Sequence, residues 1–567
     1  LLEDGDLTLV DEKPEANMGA VSTLADFLSW GVSNYPSERM GLILWDHGSG
    51  SINGVCFDEQ YDYDSLTLGE LDHALNQVYD QMTDRFEFIG FDACLMSTLE
   101  TANVLTPYAR YMYASQEMEP GSGWDYTSLL NNLAANPDQD GAQLGEKVCR
   151  EYYDHCADYG FGSQRSATFS IIDLSKIDDV LISMNEAFRV IYEQGDLGDV
   201  TRAVLEADSF GGNSVSEGYS NMLDLGNMLD QLSGYGQEVR DASQTLQSCV
   251  LYTMNGRLHK NASGLSVYYP VSIQGSEELK IFSRICPSNY YYALIDKIAY
   301  GAENGSAADY DNSTLLSDMA DINEWLGEES GFTGDVSTNA GEFADIEIGQ
   351  MGVSDIYFDE DGIYTVSFDN MDELAYACCS VGMDDDADGF FYLGTTEEVI
   401  YDIDRNCVTD NFDGSWPCIN DNLLALELVN TTDSCSIYTC NVLLNDEIET
   451  NLRIEYDWEY DEWSVIGIWD GIDEETGMAS REVYELQEGD VITPAYYWFS
   501  VDDDENWYYG DDIVVDGDLE ITYEYLPEGV YYYCFELHDI YGNVYYTPFT
   551  LQYVDEDGEV WVDGEFY

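Results

Sequence analysis

Positive charge is what this sequence has least of. Lys and Arg number 19 against 113 Asp and Glu, a formal net charge of -94 over 567 residues. A field of that sign repels nucleic acid and anionic membrane surfaces, which excludes both as partners, and it attracts cationic peptides and divalent cations. Its plainest role is to keep a secreted or salt-tolerant protein in solution. Long apolar runs are also missing: no stretch of 18 or more such residues occurs, so no membrane-spanning helix is expected. A secretory signal peptide is absent. The chain nevertheless opens at Leu1, not Met, inside a strand-and-turn passage, and the expectation is that a preceding segment with any export signal has been removed.

The 13 cysteines have no paired CxxC spacing, which removes the common zinc frameworks, and their odd number leaves at least one unpaired within the chain. Cys435 and Cys440 flank a short β segment and are placed to bridge. Cys149 and Cys156 lie seven apart on a predicted helix, about two turns and too far to bridge easily. Cys378 and Cys379 are adjacent and point to opposite faces of a strand. The cysteines leave the redox compartment open.

What is present is a folded chain. The apolar fraction is 45% and aromatics are plentiful, so disorder is excluded despite the charge. The length exceeds one core and suggests roughly three or four domains. In the first part, short apolar runs alternate with helical patterns. Met40 to Trp45, Phe86 to Phe91 and Tyr111 to Ala114 read as strands, with Thr168 to Asp173 and Gly264 to Tyr269 as later ones. Leu66 to Val78 carries Leu68, Leu71, Leu75 and Val78 on one helical stripe, and Met96 to Leu105 reads as a second helix. The alternation predicts an α/β domain with a mostly parallel sheet between helices, over residues 1–303. Residues 304–340 read as a linker rich in Gly, Ser, Asn and acidic residues. Residues 341–567 switch to short strands with Asp-Gly, Glu-Gly and Tyr-Gly turns, an acidic all-β region of one or two sandwich-like units.

Two strand ends carry the chemistry. Trp45-Asp-His-Gly-Ser-Gly50 closes the first run and Phe91-Asp-Ala-Cys-Leu-Met96 the second. In a parallel sheet both turns fall at the carboxyl edge, where active sites gather, and the intervening residues suffice for a crossover helix. His47 and Cys94 are therefore candidate neighbours. A free thiol has a pKa of about 8.5, and an adjacent imidazole raises its thiolate fraction and can protonate a leaving amine. The start of the following helix would add its positive end. The Gly48 amide suits an oxyanion, because glycine permits close backbone approach. Alone, a cysteine at a strand end is more often a small buried hydrophobe. The other histidines, His73, His155, His259 and His538, lack a comparable setting.

Leu42-Ile-Leu-Trp-Asp-His-Gly-Ser-Gly50 with Phe91-Asp-Ala-Cys-Leu-Met-Ser97 resembles the signature of clostripain-type cysteine peptidases, relatives of caspases, legumain and gingipain. Asn17-Met-Gly19, Ala114-Ser-Gln-Glu117, Pro120-Gly-Ser-Gly-Trp-Asp-Tyr126 and Gly264-Leu-Ser-Val-Tyr-Tyr-Pro270 support it. The likeness spans most of the chain, with specific motifs only in the first third. It implies a caspase-like fold, with His47 as catalytic base and Cys94 as nucleophile; in the reaction expected from that pair, the Gly48 and Cys94 amides hold the oxyanion. Asp92 matches an acidic residue of the S1 pocket, where the family accepts Arg or Lys, and Asp125 or Glu119 would add to that pocket. As a residue read alone, Asp92 is also a turn-capping carboxylate. Members usually begin with a further strand and helix, so part of the sheet is expected to be missing here.

Asp384, Asp386, Asp388 and Gly389 fit the start of a D-x-D-x-D-G calcium loop, but Thr395 stands where a bidentate Glu belongs. In so acidic a chain the spacing reads first as a solvated turn and second as a Ca2+ site, the one cofactor the resemblance brings in. Aromatic strings such as Tyr496 to Phe499 read as cross-strand pairs before ligand platforms. The expected protein is thus an extracellular or cell-surface bacterial endopeptidase cutting proteins and peptides after a basic residue, with no cofactor in the chemistry. The alternative is a catalytically silent surface or adhesion protein on the same scaffold. Some members cut themselves at a basic residue between the His and the Cys, yet here no Lys or Arg falls between His47 and Arg85. Intact-mass analysis of the incubated protein is expected to show no cut between Gly48 and Asp84; a cut there would overturn this.

Overall fold

The computed structural model describes residues 2–3, 6–157, 161–194, 197–272, 276–300, 351–359, 362–385, 389–432, 434–473, 476–481, 483–500, 505–517, 519–539, 544–555, 560–562 and 564–567. The expected linker, 304–340, lies outside them. Among the described residues a five-stranded sheet forms the centre of the first half: β1 (Gly41–Trp45), β2 (Phe86–Asp92), β3 (Ala109–Ala114), β4 (Thr168–Asp173) and β5 (Val250–Asn255), in the order β5-β4-β3-β2-β1. The pairs β1–β2 and β2–β3 are parallel, whereas β3–β4 and β4–β5 are antiparallel. Gly264 to Tyr269 does not join this sheet. Its strand, Ser266–Tyr268, pairs antiparallel with Met222–Asp224 in a separate three-stranded sheet.

Helices cover both faces. On one side α1 (Val21–Asn34), α2 (Leu68–Tyr79), α3 (Leu99–Leu105) and α6 (Ile177–Gln194) pack with Ile89, Phe91, Met112 and Ile172. On the other, α4 (Tyr126–Ala135) and α5 (Gly141–Cys156) cover Phe88, Tyr113 and Phe169. This division follows the strand period of two, which sends Phe88 and Ile89 to opposite faces. Thr67 starts α2 with a capping box: its hydroxyl accepts the Glu70 amide, and the Glu70 carboxylate accepts the Thr67 amide at 3.1 Å. The stripe from Leu68 to Val78 is buried as its spacing requires.

Described residues beyond 350 are β apart from short helical turns at Met371–Glu373 and Ile403–Arg405. Fourteen strands form one sheet, and a four-stranded sheet packs on it through Tyr364, Val366 and Val408 against Val381 and Phe535. This region is held to the first half by arginines. Arg453 is buried, forked onto Glu217 at 2.8 and 2.6 Å, and lies over the Trp469 ring at 4.0 Å. Arg257 meets Glu455 at 2.7 Å and also pairs with Asp457, and Arg165 shares Glu455. All thirteen cysteines are free. Cys435 and Cys440 lie five apart on a single strand, Cys435–Leu444, where an odd spacing turns their side chains to opposite faces.

One buried polar contact carries a titration. Asp72 on α2 is buried and accepts the Tyr108 hydroxyl at 2.7 Å, and burial pushes its carboxyl from the ordinary 3.8 up to about 7. The folded chain keeps this proton between those values, where the unfolded chain has lost it. Its contribution is therefore full below pH 3.8 and falls away as pH rises to about 7. Asp72→Asn removes the titration, and its stability gain is expected to grow by about 2 kcal/mol from pH 5.5 to pH 8.5, at about 1.36 kcal/mol per pH unit. Urea midpoints at the two pH values measure this; an equal gain at both would assign the titration elsewhere.

Candidate active site

The parallel register sets Trp45 opposite Asp92, so β1 and β2 end level and deliver His47 and Cys94 to one edge of the sheet. The two turns touch. A Cβ on Gly48 would overlap the Cys94 carbonyl oxygen, so only glycine permits the approach. Leu95, directly after the cysteine, holds φ of 62°, a left-handed backbone costly for a leucine. No acceptor among the described residues takes the amide proton of Gly48 or of Cys94. The helix after the cysteine begins later than its sequence suggests. Thr98 caps α3 through the Thr101 amide, and Cys94 lies four residues ahead of that cap. What reaches the thiol is the Glu119 amide, 3.2 Å from Sγ.

Cys94 is fully buried, and burial pushes its thiol up to about 12, against the opposing pull of Arg481 and the Glu119 amide. His47 is half-buried. Its Nδ1 lies 2.9 Å from the carbonyl oxygen of Ala479, which can only accept, so Nδ1 is the donor in this contact. Its own amide donates to Asp46 at 2.7 Å.

Asp92 is the centre of a buried polar cluster. It accepts the Tyr126 hydroxyl at 2.8 Å and the Trp124 amide at 3.3 Å, and it pairs with Nη2 of Arg481 at 2.8 Å. Gly123, at φ of 61°, leaves room for the carboxylate, where any Cβ would collide with it. Glu119 lies alongside with neither carboxyl oxygen partnered. Burial, then the neighbouring Asp92, drives its carboxyl well above the usual range, which favours its protonated form beside the Asp92–Arg481 pair.

The sequence-derived residues thus divide. His47, Gly48, Asp92, Cys94 and Glu119 belong to one site. Asp125 does not join it: its carboxylate caps α4 through the Ser128 amide at 2.9 Å, which lowers its pKa, and it faces a small pocket shared with Asn132 and Lys147. Of the calcium-loop residues, Asp386 and Asp388 lie outside the described residues. Asp384 accepts the Tyr532 hydroxyl at 3.3 Å, and Asp385 is spent on the Gly389 amide and the Trp498 indole. Among the described residues a mixed group of metal-binding type occurs elsewhere, where ligand atoms of Cys378, Glu536 and His538 lie within 4.8 Å of one another. Sequence reasoning missed Arg481 and Ala479. Their one signal was rarity: residues 341–567 hold no Lys and only Arg405, Arg453 and Arg481.

The profile of the clostripain family matches residues 1–305. Clostripain of Hathewaya histolytica is 29% identical over 158 residues, which cover 24% of this chain and 29% of that protein; the match thus spans less than a third of the relative's length. Among solved structures, an inactive zymogen C11 protease from Parabacteroides distasonis aligns with a TM-score of 0.38 and 17% identity, covering 52% of this chain and 82% of that one. A secreted C11 cysteine protease from Bacteroides thetaiotaomicron, in complex with an irreversible peptide inhibitor, aligns with a TM-score of 0.35 and 20% identity, covering 48% and 77%.

Two carboxyls beside one guanidinium predict a substitution of roles. In Asp92→Asn, Glu119 is free to ionise and take over Arg481, so the loss of stability is expected to be modest. Asp92→Asn with Glu119→Gln leaves Arg481 buried and unpaired, at a cost of about 3–5 kcal/mol. Chemical unfolding of the single and double variants checks this; equal losses would show that Glu119 does not take the charge.

Proposed function

Since the chain belongs to the clostripain family, we propose that it is a cysteine endopeptidase that cuts proteins and peptides after Arg or Lys, outside a bacterial cell. The observation that carries the specificity is the guanidinium of Arg481 at Asp92, beside Cys94: the pocket is built to hold a planar cation. The extracellular setting is supported by the strongly acidic composition, which suits a protein kept in solution outside the cell. Among the described residues no helix is long and apolar enough to cross a membrane.

In the proposed reaction the substrate cation enters the pocket at Asp92 and Glu119. Nε2 of His47 removes the Sγ proton of Cys94, and the thiolate attacks the scissile carbonyl carbon. The amides of Gly48 and Cys94, which have no other acceptor among the described residues, hold the oxyanion. The tetrahedral intermediate collapses, His47 returns the proton to the leaving amine, and a thioester remains on Sγ. Water, deprotonated by His47, then attacks the thioester and restores the thiol. Each group in this sequence is a side chain or amide of the chain, and calcium has no part in it. The left-handed Leu95 and the close Gly48 turn fix the donors before substrate arrives, which is the condition for oxyanion stabilisation.

A second reading, a silent binding scaffold, is favoured by the burial of Cys94 and its high thiol pKa. One assay separates the two: hydrolysis of a fluorogenic peptide with Arg ahead of the leaving group, by the Arg481→Gln chain, whose pocket is free. Adding His47→Ala is expected to lower kcat/KM by about 10²–10⁴-fold, and adding Cys94→Ala to abolish turnover. Turnover that survives Cys94→Ala, or none from the folded Arg481→Gln chain, would discard the peptidase.

A further inference from the structure

The contact at Asp92 is made by a residue 389 positions away, from a region that has almost no cations to give. We propose that the segment ending at Arg481 is an intramolecular pseudosubstrate, which rests on the peptidase reading above: Arg481 fills the cation pocket while the Ala479 carbonyl engages His47.

Four observations converge on this role. The segment is built to stay in place. Ile472 bridges Ala479, the Ser480 amide donates to the Gly471 carbonyl at 3.0 Å, and the Trp469 indole N–H donates to the Ser480 carbonyl at 2.9 Å. Its near arm is tied to the catalytic half, with the Ile472 amide on the Glu217 carbonyl at 2.7 Å. Glu217 is the same residue that Arg453 forks, so the strap and the docking of the β region share an anchor.

The segment touches both ends of the reaction machinery within three residues, at His47 through Ala479 and at Asp92 through Arg481. Cys94 is fully buried in this arrangement, so substrate has no direct access to its thiol.

The fit is also incomplete. Arg481 gives Asp92 a single hydrogen bond, its Nε is buried without an acceptor, and both Glu119 oxygens are unpartnered. A structural ion pair at this depth is normally saturated, because each unmet polar group costs free energy. A substrate arginine able to meet Asp92 and Glu119 together would gain the bonds that Arg481 leaves unmade, and so displace it. The segment therefore lowers the population of open sites and competes with substrate; it does not destroy the site.

An occupant in competition with substrate multiplies the apparent KM and leaves kcat nearly untouched. For an open state populated at about 0.1–10%, releasing the strap raises kcat/KM by about 10–1,000-fold. The test compares the natural chain with Arg481→Gln on the fluorogenic Arg peptide, with folding monitored by circular dichroism and melting. Trp469→Phe serves as a second variant, because it frees the Ser480 carbonyl without touching the pocket. The expected result is a rise of 10-fold or more in kcat/KM for Arg481→Gln, carried by KM, and a smaller rise for Trp469→Phe. Equal kcat/KM in the natural chain and in both folded variants overturns the pseudosubstrate and leaves the peptidase standing. No turnover from any of the three overturns the peptidase and the pseudosubstrate with it.

Discussion

A carboxylate buried at the end of a strand cannot remain without a counter-charge, and Asp92 is such a group. Tyr126 and Trp124 supply hydrogen bonds, but the charge itself is met by Arg481. The remainder of the molecule can be followed outward from that pair. Asp92 is where β2 ends, so it fixes the height of Cys94 two residues on and, through the β1–β2 register, of His47. Arg481 comes from the β region, so closing the pocket requires that region to dock. The docking repeats the same physics at Arg453 with Glu217 and at Arg257 with Glu455 and Asp457. In a chain with 113 acidic residues and 19 basic ones, Arg453 and Arg481 are cations of the β region that are buried, and each is paired with a carboxylate of the first half.

The parts of this arrangement readable from sequence are the local ones. A run of Met40 to Trp45 followed by Asp-His-Gly, or the Leu68-to-Val78 stripe after Thr67, states its own structure within a dozen residues. The strand ends, with His47 and Cys94, were legible for that reason. The antiparallel direction of β4 was not, because an apolar strand reads the same in either direction, and β5, directly after a helix at Val250, was not read as a strand at all. Gly264 to Tyr269 read as a strand correctly but without its partners, which come from Met222–Asp224. The helix after Cys94 was read three residues early, since Met96 extends the apolar pattern while Thr98 holds the cap. Asp125 shares a turn with pocket residues yet faces its own helix, a choice made by the Ser128 amide. Arg481 had no local signature, as nothing within hundreds of residues announces its partner.

Close approach is the second theme of the site. Gly48 against the Cys94 carbonyl and Gly123 against the Asp92 carboxylate are places where a methyl group has no room. Leu95 accepts an unfavourable backbone to bring the turn round. These positions fix the Gly48 and Cys94 amides and the Asp92 carboxylate, the groups assigned above to oxyanion and cation binding in the proposed reaction, relative to the thiol. What the site lacks in this state is access, since His47 is engaged and Cys94 is covered.

That Arg481 belongs to the same polypeptide as Asp92 has a consequence for how the protein behaves on dilution. A separate inhibitor leaves its enzyme as both are spread through a larger volume. A covalently tethered one is presented at an effective concentration set by the chain's geometry, independent of how much protein is present. Release into a large extracellular space would therefore not by itself uncover the site. If the segment acts as proposed, the fraction of sites uncovered would follow the local abundance of arginine-bearing chains and would be the same at every dilution of the protein.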